Sequence, residues 1–582
     1  MNSLFLHTRK ISHCKASKLK ARCSFHHGKI RTMIGLQQRS FCLLALSFLF
    51  SLCFSFLCAD AIFWQTAQAM SLDELDNLSS RFEVQQSILL PYNLRNKKNI
   101  KEILYGNSQM GYYVSQNWSV SAGTLTLLFT PPTYHYPIFI KAVSRQGTTT
   151  QLMTYNAKSP VPAIFKRITF QLSKGPLSEP FYLINGALPR RILHDPSFSS
   201  LDPELFRKNH HRFTFIVVIN RFGEIVWLHV PIIGDALFSS YLSAKKVGDG
   251  FYGMMFGKHS GYFEIVRHNG IVERRFSSKD AQTPFVMHHD FETIASKKLY
   301  AVGNEVKNMH TYTKSSKDKN TTFVTDTIIG IDLLNQSSRK LLGFDKYFHP
   351  GITPYTTGDA PDDKKFVLWG QPKADVDFLH INAVDYVPKK GVLVSFRNIS
   401  KVGMIDNSFD KLLWTLGSEK EDTYYISSKA HQFHHQHTPI MLSDNSLLLF
   451  DNAITTKESR VVKYQLNRKK GRAHMTWEFK PTPQLFSKDR SSVYVLSNNN
   501  YGIYFVNPRK KNQKVSSIPN KDIYIEVNPR NNQEVGRMEI TFPVASPGYR
   551  MLPLETMSND HPYQGAPIKQ SWHNTQQTPK AQ

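Results

Sequence analysis

Three histidines, His289, His380 and His437, stand at the same place in three copies of one repeat. The copies run over residues 289–304, 380–398 and 437–452. Each reads as a short strand beginning at the histidine, a polar turn, and an apolar strand ending in x-Asn. The first and third copies align without a gap, and the second is three residues longer. Imidazole is suited to chemistry near neutral pH. One ring can attack as a nucleophile while another gives or takes a proton.

The second copy adds two polar groups. Arg397 ends its returning strand, where the other copies carry Gly303 and Asp451. Asn382 lies two residues after His380, so strand alternation predicts that both face the same way. His289, His380, Asn382, Arg397 and His437 would then line one pocket with a fixed positive charge and no required carboxylate. Such a pocket suits a tetrahedral oxyanion: the guanidinium fork meets two oxygens, and Asn and His add hydrogen bonds. His288, His434 and His435 flank the key positions as substrate-binding, entrance or surface residues. Asp451, Asn304, Asn398 and Asn452 read as turn caps, and Arg460 as packing.

These residues need elements that bring distant repeats together. From about residue 205 the chain repeats an alternating strand, a Gly/Asp/Asn turn and a second strand, roughly six times. His380 and His437 are 57 residues apart. A four-stranded unit at this period predicts an all-β six-bladed β-propeller over 205–555, whose equivalent positions converge on one axis. Residues 70–204 show short β runs broken by Gly, Pro and Ser and predict a small N-terminal β-sandwich domain. Within them, 71–90 has the helical spacing Leu72, Leu75, Leu78, Phe82. Residues 556–582, rich in Gln, Pro, His and Lys, read as a disordered tail.

The first 69 residues read as a signal peptide. A basic stretch precedes an apolar run from Phe41 to about Phe63, and Ala67-Gln68-Ala69 has the small-x-small form of a cleavage site. Met33 is an alternative start. The run is also long enough for an uncleaved membrane anchor, which would be the chain's one link to a membrane. All five cysteines precede Ala69, so a cleaved chain has no disulfide and no thiolate metal site. Export of this kind implies a periplasmic location. The net charge of +27 falls to +19 once the nine Lys/Arg and one acid of this segment are removed. The remaining basic residues are scattered and carry no nucleic-acid motif, so a nucleic-acid partner is not expected.

Met287-His-His-Asp-Phe, His380-Ile-Asn-Ala-Val-Asp-Tyr with Ser395-Phe-Arg397, and Gln436-His-Thr with Leu447-Leu-Leu-Phe-Asp-Asn452 together resemble the bacterial exported aryl-sulfate sulfotransferases, which use no nucleotide donor. The resemblance implies a six-bladed propeller behind a small β domain, and a ping-pong reaction without metal or cofactor. A histidine takes a sulfuryl group from a phenolic sulfate donor and passes it to a phenolic acceptor. By motif position His437 resembles the nucleophile. His289, His380, Asn382 and Arg397 resemble the sulfuryl binders, with His289 or His380 placed for proton transfer. Some members carry a disulfide, which a cysteine-free mature chain lacks.

Two other readings compete. A metal-dependent propeller enzyme would need a fourth histidine, from His434, His435 or His259, and Arg397 beside a metal is costly. A non-catalytic exported binding propeller is allowed by fold alone. A monomer and a homodimer are both open. Cleavage after Ala69 predicts that exported protein begins at Met70; N-terminal sequencing that returns an intact apolar run would support the anchor instead.

Overall fold

The computed structural model describes the chain in segments between Gln86 and Pro562: mainly 100–107, 138–155, 168–189, 212–229, 242–248, 251–256, 261–267, 272–278, 285–295, 298–311, 319–349, 376–509, 521–542 and 548–555, with short pieces at 86–89, 111–115, 118–119, 124–127 and 561–562. All of these belong to the unit Leu72–Gln582. The predicted signal peptide lies outside the described residues.

The described residues form an all-β structure, and its one helical turn is Lys429–His431. No helix among them is long and apolar enough to cross a membrane. Six antiparallel runs of four strands recur along the chain. Their first strands are Leu242–Gly248, Val286–Ala295, Ile381–Val387, His437–Met441, Ser492–Val495 and Met551–Leu554. Two of the runs, starting at Ile381 and His437, are joined through Tyr424–Tyr425 into a nine-stranded sheet.

The strands follow from their composition. Arg212–Asn220 is rich in Val, Ile and Phe, and Phe215 to Ile219 are fully buried. That is the pattern of a strand covered on both faces. Gly391–Phe396 is likewise buried throughout. Gly391 has φ 139°, and a Cβ there would lie 1.9 Å from Ile405 O, so only glycine allows the turn and the close strand pairing. Large apolar clusters fill the space between successive sheets. One joins Tyr300, Phe344 and Phe348 to Phe396; another joins Leu393 and Met404 to Leu447 and Tyr464.

The ends of the chain complete these sheets. Phe181–Pro189 pairs with Met551–Leu554 on one side and Arg212–Asn220 on the other. Thr169–Lys174 pairs with Gln533–Thr541. The repeated sheets therefore begin some 35 residues before the expected start at 205. These pairings span most of the chain and leave no local trace in the sequence. Gln86–Leu89, at the end of the helical spacing, is a strand on Thr124–Leu127. His561–Pro562, in the expected tail, pairs with Gly111–Ser115.

The first strands pack against one another in series. Val286–Ala295 touches Leu242–Gly248 and Ile381–Val387; His437–Met441 touches Ile381–Val387 and Ser492–Val495; Ser492–Val495 touches Met551–Leu554. All six contribute to one cavity of about 570 Å³, through Lys245, Glu292, Asp385, Ile440, Tyr494 and Leu552.

Asp290 ties these strands together from a fully buried position. Its carboxylate accepts from Arg550 Nη1 at 2.9 Å, Val384 N at 3.0 Å and Ser243 Oγ at 3.1 Å. Lys245 Nζ lies 3.1 Å away. Burial pushes the carboxyl up, but Arg550 and Lys245 outweigh it and hold it below its ordinary range. Arg550 also donates to Asn382 O at 2.6 Å. Arg550→Met would leave Asp290 with one cation, so it should cost about 3–5 kcal/mol of stability. Urea denaturation checks this, and an unchanged midpoint would remove the network's structural role.

Candidate active site

Each candidate histidine sits where the first strand of its run departs from regular pairing. Register shifts fall between Met287 and Phe291, between Ile381 and Ala383, and between His437 and Ile440. His289 has φ 58°, His380 φ 51° and Thr438 φ 49°. Left-handed backbone at non-glycine residues costs energy and is held only where surrounding packing enforces it. His289 lies inside its shift, while His380 and His437 stand just before theirs.

The rings converge. His289 lies 4.6 Å from His380 between centroids, at 65°. Tyr549 is 6.1 Å from His289 and 6.4 Å from His437. Arg397 N donates to His380 O at 3.3 Å, which puts Arg397 level with the histidine. The guanidinium is buried and donates through Nη1 to Asn398 Oδ1 at 2.8 Å. Among the described residues no carboxylate pairs with it.

What stands behind each imidazole differs. His380 Nδ1 bonds Asp377. His289 Nδ1 meets His288 Nδ1, and His288 Nε2 lies 2.9 Å from Asp326 Oδ1. His437 has an amide instead: its Nδ1 lies 2.6 Å from Asn452 Oδ1 and 3.2 Å from His435 O. Asn452 Nδ2 donates to Ser487 O at 2.9 Å and Arg490 O at 3.1 Å. Two carbonyl acceptors fix the amide's orientation, so Oδ1 faces the ring and Nδ1 must carry the proton. Nε2 then bears the lone pair. It accepts from Arg490 N at 3.2 Å.

Burial and then the Arg397 charge hold His437 well below the ordinary imidazole range, outweighing the Asn452 hydrogen bond that favours protonation. A carboxylate behind a ring favours imidazolium more strongly than a neutral amide does. The buried His437 is therefore a neutral imidazole whose Nε2 lone pair rests on the Arg490 N–H, a bond that an attacking Nε2 would give up.

Asn382 is held between the residue before His437 and Tyr549, whose hydroxyl donates to Asn382 O at 3.4 Å. It falls at the Ile381/Ala383 register shift, so the alternation that predicted a shared face with His380 does not apply. Fully buried, it donates through Nδ2 to Gln436 O at 2.8 Å, and its Oδ1 has no partner among the described residues. It braces the backbone before His437. His288 is also buried, with both ring nitrogens engaged. His434 N donates to Asp451 Oδ1, and Asp451 pairs with Arg460 at 2.8 Å. Among the described residues no group of three or more His, Cys, Asp or Glu side chains is arranged to hold a metal ion.

Sequence reasoning missed Asn452 as a histidine partner, although its recurrence at the strand end was the available signal. Asp326, Arg490 and Tyr549 had no signal, because their contacts join separate sheets or loops; Asp377, three residues before His380, was near enough in sequence to have been considered.

The sequence matches the arylsulfotransferase (ASST) family over residues 171–550. The chain belongs to the arylsulfotransferase family. No curated protein sequence matches it. Similar solved structures include a Bacteroides caccae protein of unknown function, at 11% identity and TM-score 0.36, covering 65% of this chain and 100% of that one. A luciferin-regenerating enzyme has 9% identity and TM-score 0.30, covering 59% and 88%. An ACO/RPE65 chimera has 8% identity and TM-score 0.30, covering 68% and 99%.

The amide behind His437 yields a prediction. Asn452→Asp places a carboxylate against Nδ1 and should raise the acid limb of His437 reactivity by about 1–3 pH units. The neutral form is lost as pH falls through the ring's pKa, so the variant should lose activity at a higher pH than wild type. Superimposable pH–rate profiles would overturn the assignment.

Proposed function

We propose that this chain is an exported, periplasmic aryl-sulfate sulfotransferase that works through a sulfohistidine on His437. The observation that carries the reading is the neutral, amide-backed His437 near the carboxylate-backed His380, the histidine-backed His289 and the Arg397 guanidinium, which has no carboxylate ion pair among the described residues. The fold we propose is a six-bladed β-propeller with a small N-terminal β domain. Six four-stranded runs, first strands in series and a cavity shared by all six support it.

His437 Nε2 attacks the sulfur of a phenolic sulfate. The bond between sulfur and the aryl oxygen breaks, and its electron pair leaves with the phenolate. Arg397 and the His380–Asp377 pair offset the charge on the sulfuryl oxygens, which is the main demand of such a transfer. Attack by a neutral ring leaves positive charge on the sulfated imidazole. Its Nδ1–H stays bonded to Asn452 Oδ1, which accepts a hydrogen bond but is too weak a base to take the proton. The N–S bond therefore remains labile. A second phenol gives its proton to His289 or His380, its oxygen attacks sulfur, and the N–S bond breaks with its electron pair returning to Nε2.

The basic stretch, apolar run and Ala67-Gln68-Ala69 support export. The test is a transfer assay with 4-nitrophenyl sulfate, with and without a second phenol. Release should accelerate with acceptor, and without it mass spectrometry should find a sulfated His437 peptide. His437→Ala should lower transfer by roughly 10³-fold or more; full activity in that variant would sink the assignment.

A further inference from the structure

We propose that Asp326 and His288 form a proton relay behind His289, making His289 the group that exchanges a proton with the phenolic oxygen. The inference rests on the sulfuryl-transfer reading above and deepens it, because that reading leaves open which histidine serves the leaving group.

Asp326 is buried on the strand Lys319–Asp332. Three groups converge on it: His288 Nε2 at 2.9 Å, Asn304 Nδ2 at 2.6 Å, and Ile381 N, which donates to Oδ2 at 2.6 Å. Among the described residues no Lys or Arg pairs with it, and its ion partner is His288. Among the described residues His288 is thus the titratable partner of this carboxylate, and Asn304 and Ile381 N hold it in place.

The backbone explains how two neighbouring histidines reach each other. Adjacent strand residues normally face opposite sides. Here the register shift between Met287 and Phe291 and the left-handed turn at His289 bring both rings together, 4.8 Å apart and 88° to one another. Their Nδ1 atoms face one another. Such a contact needs one proton between two nitrogens, with one ring donating and the other accepting.

The proton count then closes. With His288 Nε2–H donated to Asp326, one proton is shared between the Nδ1 atoms and one sits on His289 Nε2. His289 gives the Nε2 proton to the departing phenolate oxygen. The shared proton passes to His289 Nδ1, and His288 is left neutral against Asp326. In the second half-reaction the incoming phenol returns a proton to His289 Nε2, and the shared proton moves back. No water or further base is consumed. The other candidate, His380, is bonded directly to Asp377, so no second ring stands behind it to pass a proton on. His288 and Asp326 are positioning residues in this scheme, and only His289 meets the reacting atoms.

Leaving-group dependence separates a relay from a structural brace. A phenol as basic as tyrosine, near pKa 10, needs a proton to leave; 4-nitrophenolate does not. Asp326→Asn and His288→Gln should each slow single-turnover sulfation by 4-methylphenyl sulfate by about 100-fold, with little loss for 4-nitrophenyl sulfate. Equal losses on both donors, or none on either, would overturn the relay. Wild-type protein gives a test independent of variant folding. Its sulfation rate should depend weakly on phenol acidity across a series of donors, and a steep dependence would also overturn it. If wild type forms no sulfated His437 with any donor, sulfuryl transfer itself fails and the relay fails with it. A sulfated His437 with a steep dependence fails the relay alone.

Discussion

Asp290 is a carboxylate removed from water at the meeting point of several sheets, and much of the centre depends on keeping it satisfied. Burying an isolated carboxylate is far costlier than any single apolar contact can offset. Arg550, Lys245, Ser243 and the Val384 amide, drawn from three other runs of strands, share that task. Arg550 belongs to the segment that leads into the closing strand Met551–Leu554. Its second contact, to Asn382 O, reaches the strand after His380. Fixing Asp290 also fixes its neighbour His289, whose left-handed backbone needs support from outside its own strand. One polar network thus holds the strands together and aims part of the site.

Within the site, chemistry is divided by what lies behind each ring. Three imidazoles of identical composition receive an amide, a carboxylate, and a second histidine leading to a carboxylate. In a dry environment these partners set protonation more strongly than solvent does. Arg397 reinforces the difference, because its charge opposes protonation of His437. A nucleophile must be neutral and an anion binder positive. Neighbouring rings can hold both states at one pH only if their partners differ.

The all-β character, the repeated strand unit and the three histidines were legible in the sequence. Val, Ile and Phe alternate with turn residues over short distances, and each repeat carries its own record of that pattern. Arg397 was legible for the same reason, as a departure from the other copies at an aligned position. The contacts of Asn382 were not legible, because alternation holds only along a regular strand and a register shift falls at that residue. The repeated sheets begin well before residue 205 because Phe181–Pro189 finds Met551–Leu554 only after the ends of the chain meet. Asn452 was visible as a recurring strand-end residue, but a turn cap and a histidine partner look alike in one dimension.

By itself the sequence determined which groups could do chemistry and that equivalent repeat positions would carry them. Side-chain type and local periodicity are properties of short segments. The tertiary structure decided what each group would do. His437 meets Asn452 across a strand pair, His288 meets Asp326 across 38 residues, and Arg550 meets Asp290 across 260. Those contacts decide protonation, and a buried group's charge state depends on its spatial neighbours rather than on its neighbours in the chain.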